Sequence, residues 1–352
     1  MLIFAHLTTH ELYMSRCLQL ARLGAGNVAP NPMVGAVLVF QDEIIGEGYH
    51  QQFGAAHAEV NCFDSVLPSM QQVISESTLY VSLEPCSHFG KTPPCADLVI
   101  KMGVQKVVIA CRDPFTKVNG LGILKLKDAG VEVIEGILEE KAIELNKRFF
   151  HFQQQKRPFI FLKWAQTQDG FLAKPGFESL AISNKYSNIF THKMRAEEAA
   201  IMVGTNTALY DNPALSTRYW KGRNPLRIVI DKHLKLLSNT KLLTDEQPTI
   251  IVNYLKEGQE GPVHYFKADE QGDLIGQLLG HLYKKNVQSL IVEGGSILLS
   301  SLLASNLWNE AVVISNNTLN IKEGIKAPPL PMEKLRWEKS MFSDSIQGFR
   351  NL

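Results

Sequence analysis

His57-Ala-Glu59 and, further on, Pro85-Cys-Ser-His-Phe-Gly-Lys-Thr-Pro-Pro-Cys95 supply an imidazole, two thiols and a carboxylate. A hydrolytic zinc needs three protein ligands and one position left open for water. His57, Cys86 and Cys95 meet that count. Such an ion lowers the pKa of its water from about 15.7 to roughly 7. A further group must take the water proton and return it to the leaving group. Glu59, two residues from a ligand histidine, is the candidate. Two helix starts are expected to bring His57 and Cys86 together, with Cys95 closing a loop over the metal. Helix N-termini also favour the thiolate form that a ligand cysteine needs.

A histidine, one residue, a glutamate, and then Pro-Cys with a second cysteine is the arrangement of zinc deaminases. Here eight residues separate the cysteines, where the short form has two. His88, inside that loop, is an alternative ligand or a residue facing substrate or solvent. A purely structural zinc would leave Glu59 without a role. Cys17, Cys62 and Cys111 have no partner spacing and read as packing residues.

Those side chains need a scaffold, and the chain is long enough to provide two. At 352 residues, two domains are the default expectation. Hydrophobic residues make up 45% and charged residues 20%, as in ordinary globular protein. A formal net charge of +1 lacks the basic footprint of a nucleic-acid binder. No apolar run is long enough for a membrane span. An odd cysteine count with no secretory signal pattern points to reduced thiols in the cytoplasm. A homo-oligomer is compatible with the sequence.

Thr8 and Glu11 form a capping-box pattern ahead of a first helix that ends near Gly24 and Gly26. Residues 34–40 and 44–49 read as a hairpin, and 57–63 as a helix. Strands follow at 78–83, 106–111 and 131–134, with helices at 96–102 and 121–129. Strands alternating with helices imply a layered α/β sheet. The polar, basic run Asn146–Arg157 reads as a boundary, giving a deaminase domain over 1–147, a linker over 148–157 and a second domain over 158–352. Strands recur at 159–163, 200–203, 226–230, 249–253 and 289–292. Beyond about Asn320 the pattern is not ordered by periodicity.

In the second half, Leu290-Ile-Val-Glu-Gly-Gly-Ser296 runs from a strand through a glycine pair into a helix start, where backbone amides attract phosphate. It is not the Gly-x-Gly-x-x-Gly fingerprint, so an ordinary dinucleotide fold is not implied.

With these residues in hand, the chain resembles the bifunctional riboflavin-biosynthesis deaminase–reductase family over nearly its whole length. Asn31-Pro-Met-Val-Gly35, Gly46-Glu-Gly-Tyr-His50, His57-Ala-Glu-Val60 and Glu84–Cys95 carry the likeness in the first half. Lys163-Trp-Ala-Gln-Thr-Gln-Asp-Gly170, Gly204-Thr-Asn-Thr207, Asp211-Asn-Pro-Ala-Leu-Ser-Thr-Arg218 and Arg227-Ile-Val-Ile-Asp231 carry it in the second. The resemblance implies a cytidine-deaminase-like α/β/α sandwich followed by a dihydrofolate-reductase-like α/β domain. It implies zinc-dependent deamination of a diaminopyrimidine ribonucleotide, then NADPH-dependent reduction of its ribosyl group to ribityl.

By matching positions, Asn31 contacts the pyrimidine, or alternatively is only an Asn-Pro turn residue. Ala165, Ala181, Thr207, Asp211, Gly295, Ser296 and Ser301 then touch the dinucleotide. Ser179, Arg195, Leu215, Arg218 and Glu293 touch substrate. Two positions depart from the family pattern: Ala181 stands where a tryptophan is common, and Lys232 where a serine is common. They leave open an alternative in which the second domain is non-catalytic or dimerising.

Overall fold

The computed structural model describes residues 8–89, 93–115, 119–178 and 180–351. The chain divides into two compact units, with the division between Gln155 and Lys156.

In the first unit, α1 (Thr9–Arg22) precedes a hairpin of β1 (Gly35–Phe40) and β2 (Glu43–Tyr49). Next come α2 (Ala58–Asp64), β3 (Thr78–Val81), α3 (Cys95–Lys101) and β4 (Lys106–Ile109). The unit closes with α4 (Leu121–Asp128), β5 (Glu132–Glu135), α5 (Glu139–Leu145) and α6 (Lys147–Gln155). The strands form one sheet in the order β2-β1-β3-β4-β5, parallel from β3 to β5. Alternation along each strand feeds two cores. Leu38, Leu79, Val107 and Ile109 pack against Cys62 and Phe63 of α2, Val99 of α3 and Leu126 of α4. Val37, Tyr80 and Val108 pack against Met14, Cys17 and Leu18 of α1 and Phe149 and Phe150 of α6.

The α1 start has the expected reciprocal cap. Glu11 N donates to Thr8 Oγ1 at 3.3 Å and Thr8 N donates to a Glu11 carboxylate oxygen at 2.8 Å. The run read as a linker is instead helical over Lys147–Gln155, with Phe149, Phe150 and Phe152 buried. Lys147, Arg148, Gln154 and Gln155 lie off the aromatic face, so composition alone concealed an amphipathic helix.

The second unit begins with β6 (Phe159–Gln166), β7 (Phe171–Ala173), α7 (Lys185–Glu197), β8 (Ala200–Gly204), α8 (Thr205–Asp211) and β9 (Leu226–Ile230). It continues through α9 (Lys241–Thr244), β10 (Thr249–Asn253), β11 (Gly258–Glu260), β12 (Val263–Lys267) and α10 (Leu274–Lys284). The last elements are β13 (Ser289–Val292), α11 (Ser296–Ala304), β14 (Glu310–Asn316), β15 (Ile325–Lys326), β16 (Leu335–Met341) and β17 (Asp344–Arg350). Among the described residues ten strands join in the order β11-β12-β10-β9-β8-β13-β6-β14-β17-β16. From β12 to β14 all neighbours are parallel, so their carboxyl ends line one edge.

The stretch beyond Asn320, unreadable from periodicity, supplies β16 and β17, an antiparallel pair. β17 lies between β14 and β16, and β16 is largely exposed. With no buried residue, β16 lacks the apolar alternation that a half-buried strand shows.

Candidate active sites

Glycines let helix α2 lie directly on β2. A Cβ on Gly48 would come within 2.3 Å of Cys62 N and 2.4 Å of Ala58 O. The close approach fixes the start of α2, where His57 is the N-cap residue. Cys95 opens α3, while Cys86 lies in the loop after β3. The two helix starts therefore carry His57 and Cys95, not His57 and Cys86 as expected. Each cysteine follows a proline, Pro85 or Pro94, but only the residues after Cys95 continue as helix.

The three ligand atoms lie within 4.8 Å of one another. His57 Nδ1 is 3.2 Å from Cys95 Sγ and 3.7 Å from Cys86 Sγ. A tetrahedral zinc with ordinary bond lengths sets its ligand atoms about 3.6–3.8 Å apart. The residues present fit the ion with small adjustments. Hydrogen bonding from Cys95, and then the nearby His57, hold the Cys86 thiol well below the ordinary thiol range. Glu59, in the first turn of α2, is 4% exposed. Burial, and then the charge of Cys86, push its carboxyl above the ordinary value. His88 is exposed, beside Phe115, and is not among the three converging groups.

Asn31 is held by His50. Its Nδ2 lies 3.1 Å from His50 Nε2, and His50 Nδ1 lies 3.0 Å from Ala56 O. Nδ1 must donate to that carbonyl, so Nε2 accepts from the Asn31 amide. The buried His50 ring stands edge-on to His57 at 5.4 Å. Burial lowers its pKa, consistent with this neutral form.

Glu84 was overlooked. Its buried carboxylate accepts from Gly120 N and Gly122 N at 2.9 Å, Asp113 N at 3.2 Å and Ile123 N at 3.3 Å. The start of α4 is thereby fastened two residues from Cys86. A carboxylate at the end of an apolar strand, just ahead of Pro-Cys, was the available signal.

In the second unit, a cleft of about 1030 Å³ runs along the carboxyl edge of the sheet. Ala165, Ala181, Thr207, Asp211, Gly295, Ser296 and Ser301 all line it. The glycine turn is a cradle that side chains would fill. A Cβ on Gly294 would meet Leu298 at 2.8 Å, and one on Gly295 would lie 3.4 Å from Thr207 Oγ1. The start of α11 thus meets α8 across a gap suited to a phosphate chain. Phe177 stacks on Tyr210 at 4.9 Å and 10°, and both rings line the cleft together with Ala181.

The residues expected to touch substrate are less uniformly placed. Glu293 lines the cleft and is gripped from below by Arg195, at 2.6 and 2.7 Å. Lys163, also on the cleft wall, lies 3.7 Å from Glu293. Burial raises the Glu293 pKa, but the charges of Arg195 and Lys163 outweigh it and hold the carboxyl at about 2. A lone lysine in the apolar run Phe159–Trp164 was the sequence signal for Lys163. Leu215 is only 2% exposed and packs in the core with φ at 51°, so its backbone is what it can offer a ligand. Arg218 is exposed, with its guanidinium 4.9 Å over the Tyr219 ring. Ser179 lies outside the described residues.

A three-ligand zinc set with a buried glutamate, and a separate cleft with a phosphate-cradling turn, define a deaminase joined to a dinucleotide-dependent reductase. Comparisons with known proteins agree. Residues 7–111 match the cytidine and deoxycytidylate deaminase zinc-binding region, and residues 158–319 match the RibD C-terminal domain. The riboflavin biosynthesis protein RibD of Aquifex aeolicus (strain VF5) is 41% identical, covering 86% of this chain and 85% of its own length. That of Escherichia coli (strain K12) is 34% identical, with 86% of each covered. A crystal structure of a Thermotoga maritima diaminohydroxyphosphoribosylaminopyrimidine deaminase/5-amino-6-(5-phosphoribosylamino)uracil reductase superposes with a TM-score of 0.88. It is 34% identical, covering 98% of this chain and 99% of that one.

The chain belongs to the RibD family, bifunctional deaminase–reductases of riboflavin biosynthesis. Its first unit has the cytidine-deaminase fold and zinc site, and its second the dihydrofolate-reductase-like fold that uses NADPH. Among the described residues no helix is long and apolar enough to cross a membrane.

Proposed function

We propose that His57, Cys86 and Cys95 hold the zinc, and that Glu59 moves the protons of a hydrolytic deamination. The substrate is 2,5-diamino-6-(5-phosphoribosylamino)pyrimidin-4(3H)-one. The convergence of two sulfurs and Nδ1 beside a buried carboxylate carries this reading. When bound, zinc supplies Lewis acidity that makes a water nucleophilic at neutral pH. Glu59 takes the proton from the attacking water and delivers it to the departing amine, which leaves as ammonia. The Asn31 amide, oriented by His50, contacts the pyrimidine and sets the ring for attack.

In the second unit Ala165, Ala181, Thr207, Asp211, Gly295, Ser296 and Ser301 receive NADPH, which supplies the hydride. The lining of one cleft by all seven supports this assignment. Glu293, Arg195 and Lys163 form a fixed polar floor at the sugar being reduced to ribityl. The exposed Arg218 meets the substrate phosphate, for which its planar fork is suited. Ser179 and the Leu215 backbone complete the substrate set. We assign deamination to the unit ending at Gln155, which includes α6, and reduction to the unit beginning at Lys156.

We place the enzyme in the cytoplasm, a reading its five free cysteines support. The partner is a small pyrimidine ribonucleotide, and sizing by light scattering decides whether the chain works as a homo-oligomer.

The test supplies the diaminopyrimidine nucleotide to the full chain without NADPH and measures ammonia, then adds NADPH and follows its absorbance. Ammonia release followed by NADPH consumption is expected. Absence of ammonia from zinc-loaded protein would remove the first assignment, and ammonia without NADPH oxidation the second.

A further inference from the structure

One stretch of the cleft lining, residues 180–183, belongs to no strand or helix. It carries Ala181 and runs directly into α7. Its backbone is fixed by side chains from the end of the chain. Ile182 O accepts from Asn316 Nδ2 at 2.7 Å. Two residues on, Asn184 N donates to Asp344 Oδ2 at 2.9 Å, and Asn184 Nδ2 donates to Met341 O at 2.7 Å. Asn184 Oδ1 accepts from Tyr186 N and Ser187 N at 2.9 and 3.0 Å, which caps α7. A single side chain thus joins the start of α7 to the turn between β16 and β17.

Asp344 is the partner that stands out. It faces Met341 across that hairpin, with Phe342-Ser343 as a two-residue turn, yet it is completely buried. A carboxylate taken out of water at a turn needs donors. Ser343 Oγ supplies one at 3.1 Å, and Asn184 N, 160 residues away in sequence, supplies the other. The Phe342 ring stacks on Tyr186 at 4.2 Å and 19°, closing the contact from outside. Helix α7 carries the constraint onward as a 13-residue rod of ~20 Å. Near its far end Arg195 holds Glu293 and donates from Nη1 to Ser216 O at 3.1 Å. The rod therefore begins at the wall bearing Ala181 and ends at the polar floor.

We propose that Asp344 is a positioning residue for the reduction: by holding Asn184 it fixes residues 180–183 where a dinucleotide meets them. This rests on the reading of the cleft as the dinucleotide site. Asp344 does not itself line the cleft, so lost ligand contact would not account for an effect of changing it. Without its carboxylate Asn184 N has no acceptor, and the start of α7 must move to regain one. If the freed wall keeps its ordered position about a tenth of the time, dinucleotide affinity falls about ten-fold.

Nicotinamide fluorescence of NADPH bound to the full-length protein, with the kinetics of NADPH oxidation on the deaminated intermediate, tests this. Asp344→Ala should raise the dissociation constant and KM for NADPH about ten-fold, with kcat nearly unchanged because bound dinucleotide restores the wall. Asp344→Asn, whose amide oxygen can still accept from Asn184 N, should recover most of the affinity. Ile346→Ala is the control, because it empties core volume on β17 without touching Asn184. It should lower the urea midpoint and leave NADPH binding unaltered. An unchanged dissociation constant in Asp344→Ala overturns the proposal, as does an equal rise in Ile346→Ala. Should Asp344→Ala not fold, Asn184→Ser keeps a capping oxygen but loses the donor to Met341. It should show a smaller rise, and none at all would refute the role. Failure of the intact chain to bind NADPH overturns the cleft reading itself, and the proposal with it.

Discussion

Arg195 holds both carboxylate oxygens of Glu293, with Nε at 2.6 Å and Nη2 at 2.7 Å. Two residues expected to meet substrate separately are thus bound to each other, and Lys163 adds a second positive charge. Charges this buried are costly to leave uncompensated. The cluster therefore presents a rigid, mutually ion-paired surface to the cleft, not a set of free charges.

Glu293→Gln should destabilise the second unit, with a pH dependence that identifies the cause. The native carboxyl titrates at about 2, against an ordinary 4.5. Its contribution is complete above the unfolded value and is lost as pH falls toward the folded one. The shift corresponds to about 3 kcal/mol. Urea unfolding should show the intact chain more stable at pH 7, with the gap closing from about pH 4.5 downward. A gap independent of pH would assign the effect to packing instead.

Glu59→Gln removes the proton carrier while keeping the shape of a buried side chain. Ammonia release should fall by about 10²–10⁴-fold, while zinc content stays stoichiometric by metal analysis. Reduction of the supplied deaminated intermediate should be unaltered. Undiminished ammonia release would falsify the role of Glu59.

Cys86→Ala and Cys95→Ala should each lose zinc on dialysis against a chelator. Both leave too few ligands for a stable site. NADPH oxidation on the deaminated intermediate should survive, because the cleft draws its lining entirely from the second unit. Full zinc retention by both variants would put the metal elsewhere.

Gly48→Ala tests how α2 is seated. The added methyl would press on backbone atoms Cys62 N and Ala58 O at 2.3 and 2.4 Å, and these cannot rotate away. Helix α2 must shift, taking His57 with it. A loss of about 1–3 kcal/mol in stability is expected, together with weaker zinc retention in a chelator titration. Retention equal to that of the intact chain would show that β2 does not set the ligand geometry.

The zinc site was legible because its chemistry sits in short segments: an imidazole and a carboxylate two residues apart, and two thiols in one loop. Which ligand sits at a helix start was not, since Cys86 and Cys95 both follow a proline. His50 and Glu84 escaped for another reason. Each acts on groups far away in sequence, the Asn31 amide and the amides around Gly120–Ile123, and only the folded chain joins them. Helix α6 was hidden by its polar face. Strands β16 and β17 were hidden by edge exposure and by burial shared across a long-range pairing with β14. In the second unit the family pattern picked out seven residues that line one cleft, whereas Leu215 has its side chain in the core.

The placement of β17 between β14 and β16 also governs the order in which the molecule can mature during synthesis. The metal-binding sheet has all its strands once Glu135 has been made, and its ligands come from still earlier residues. The larger sheet keeps an open flank on β14 until Asp344–Arg350 emerge. Nascent chains can therefore capture metal well before the reducing half acquires its final shape, and for that interval the bare edge of β14 is the surface most exposed to misassembly.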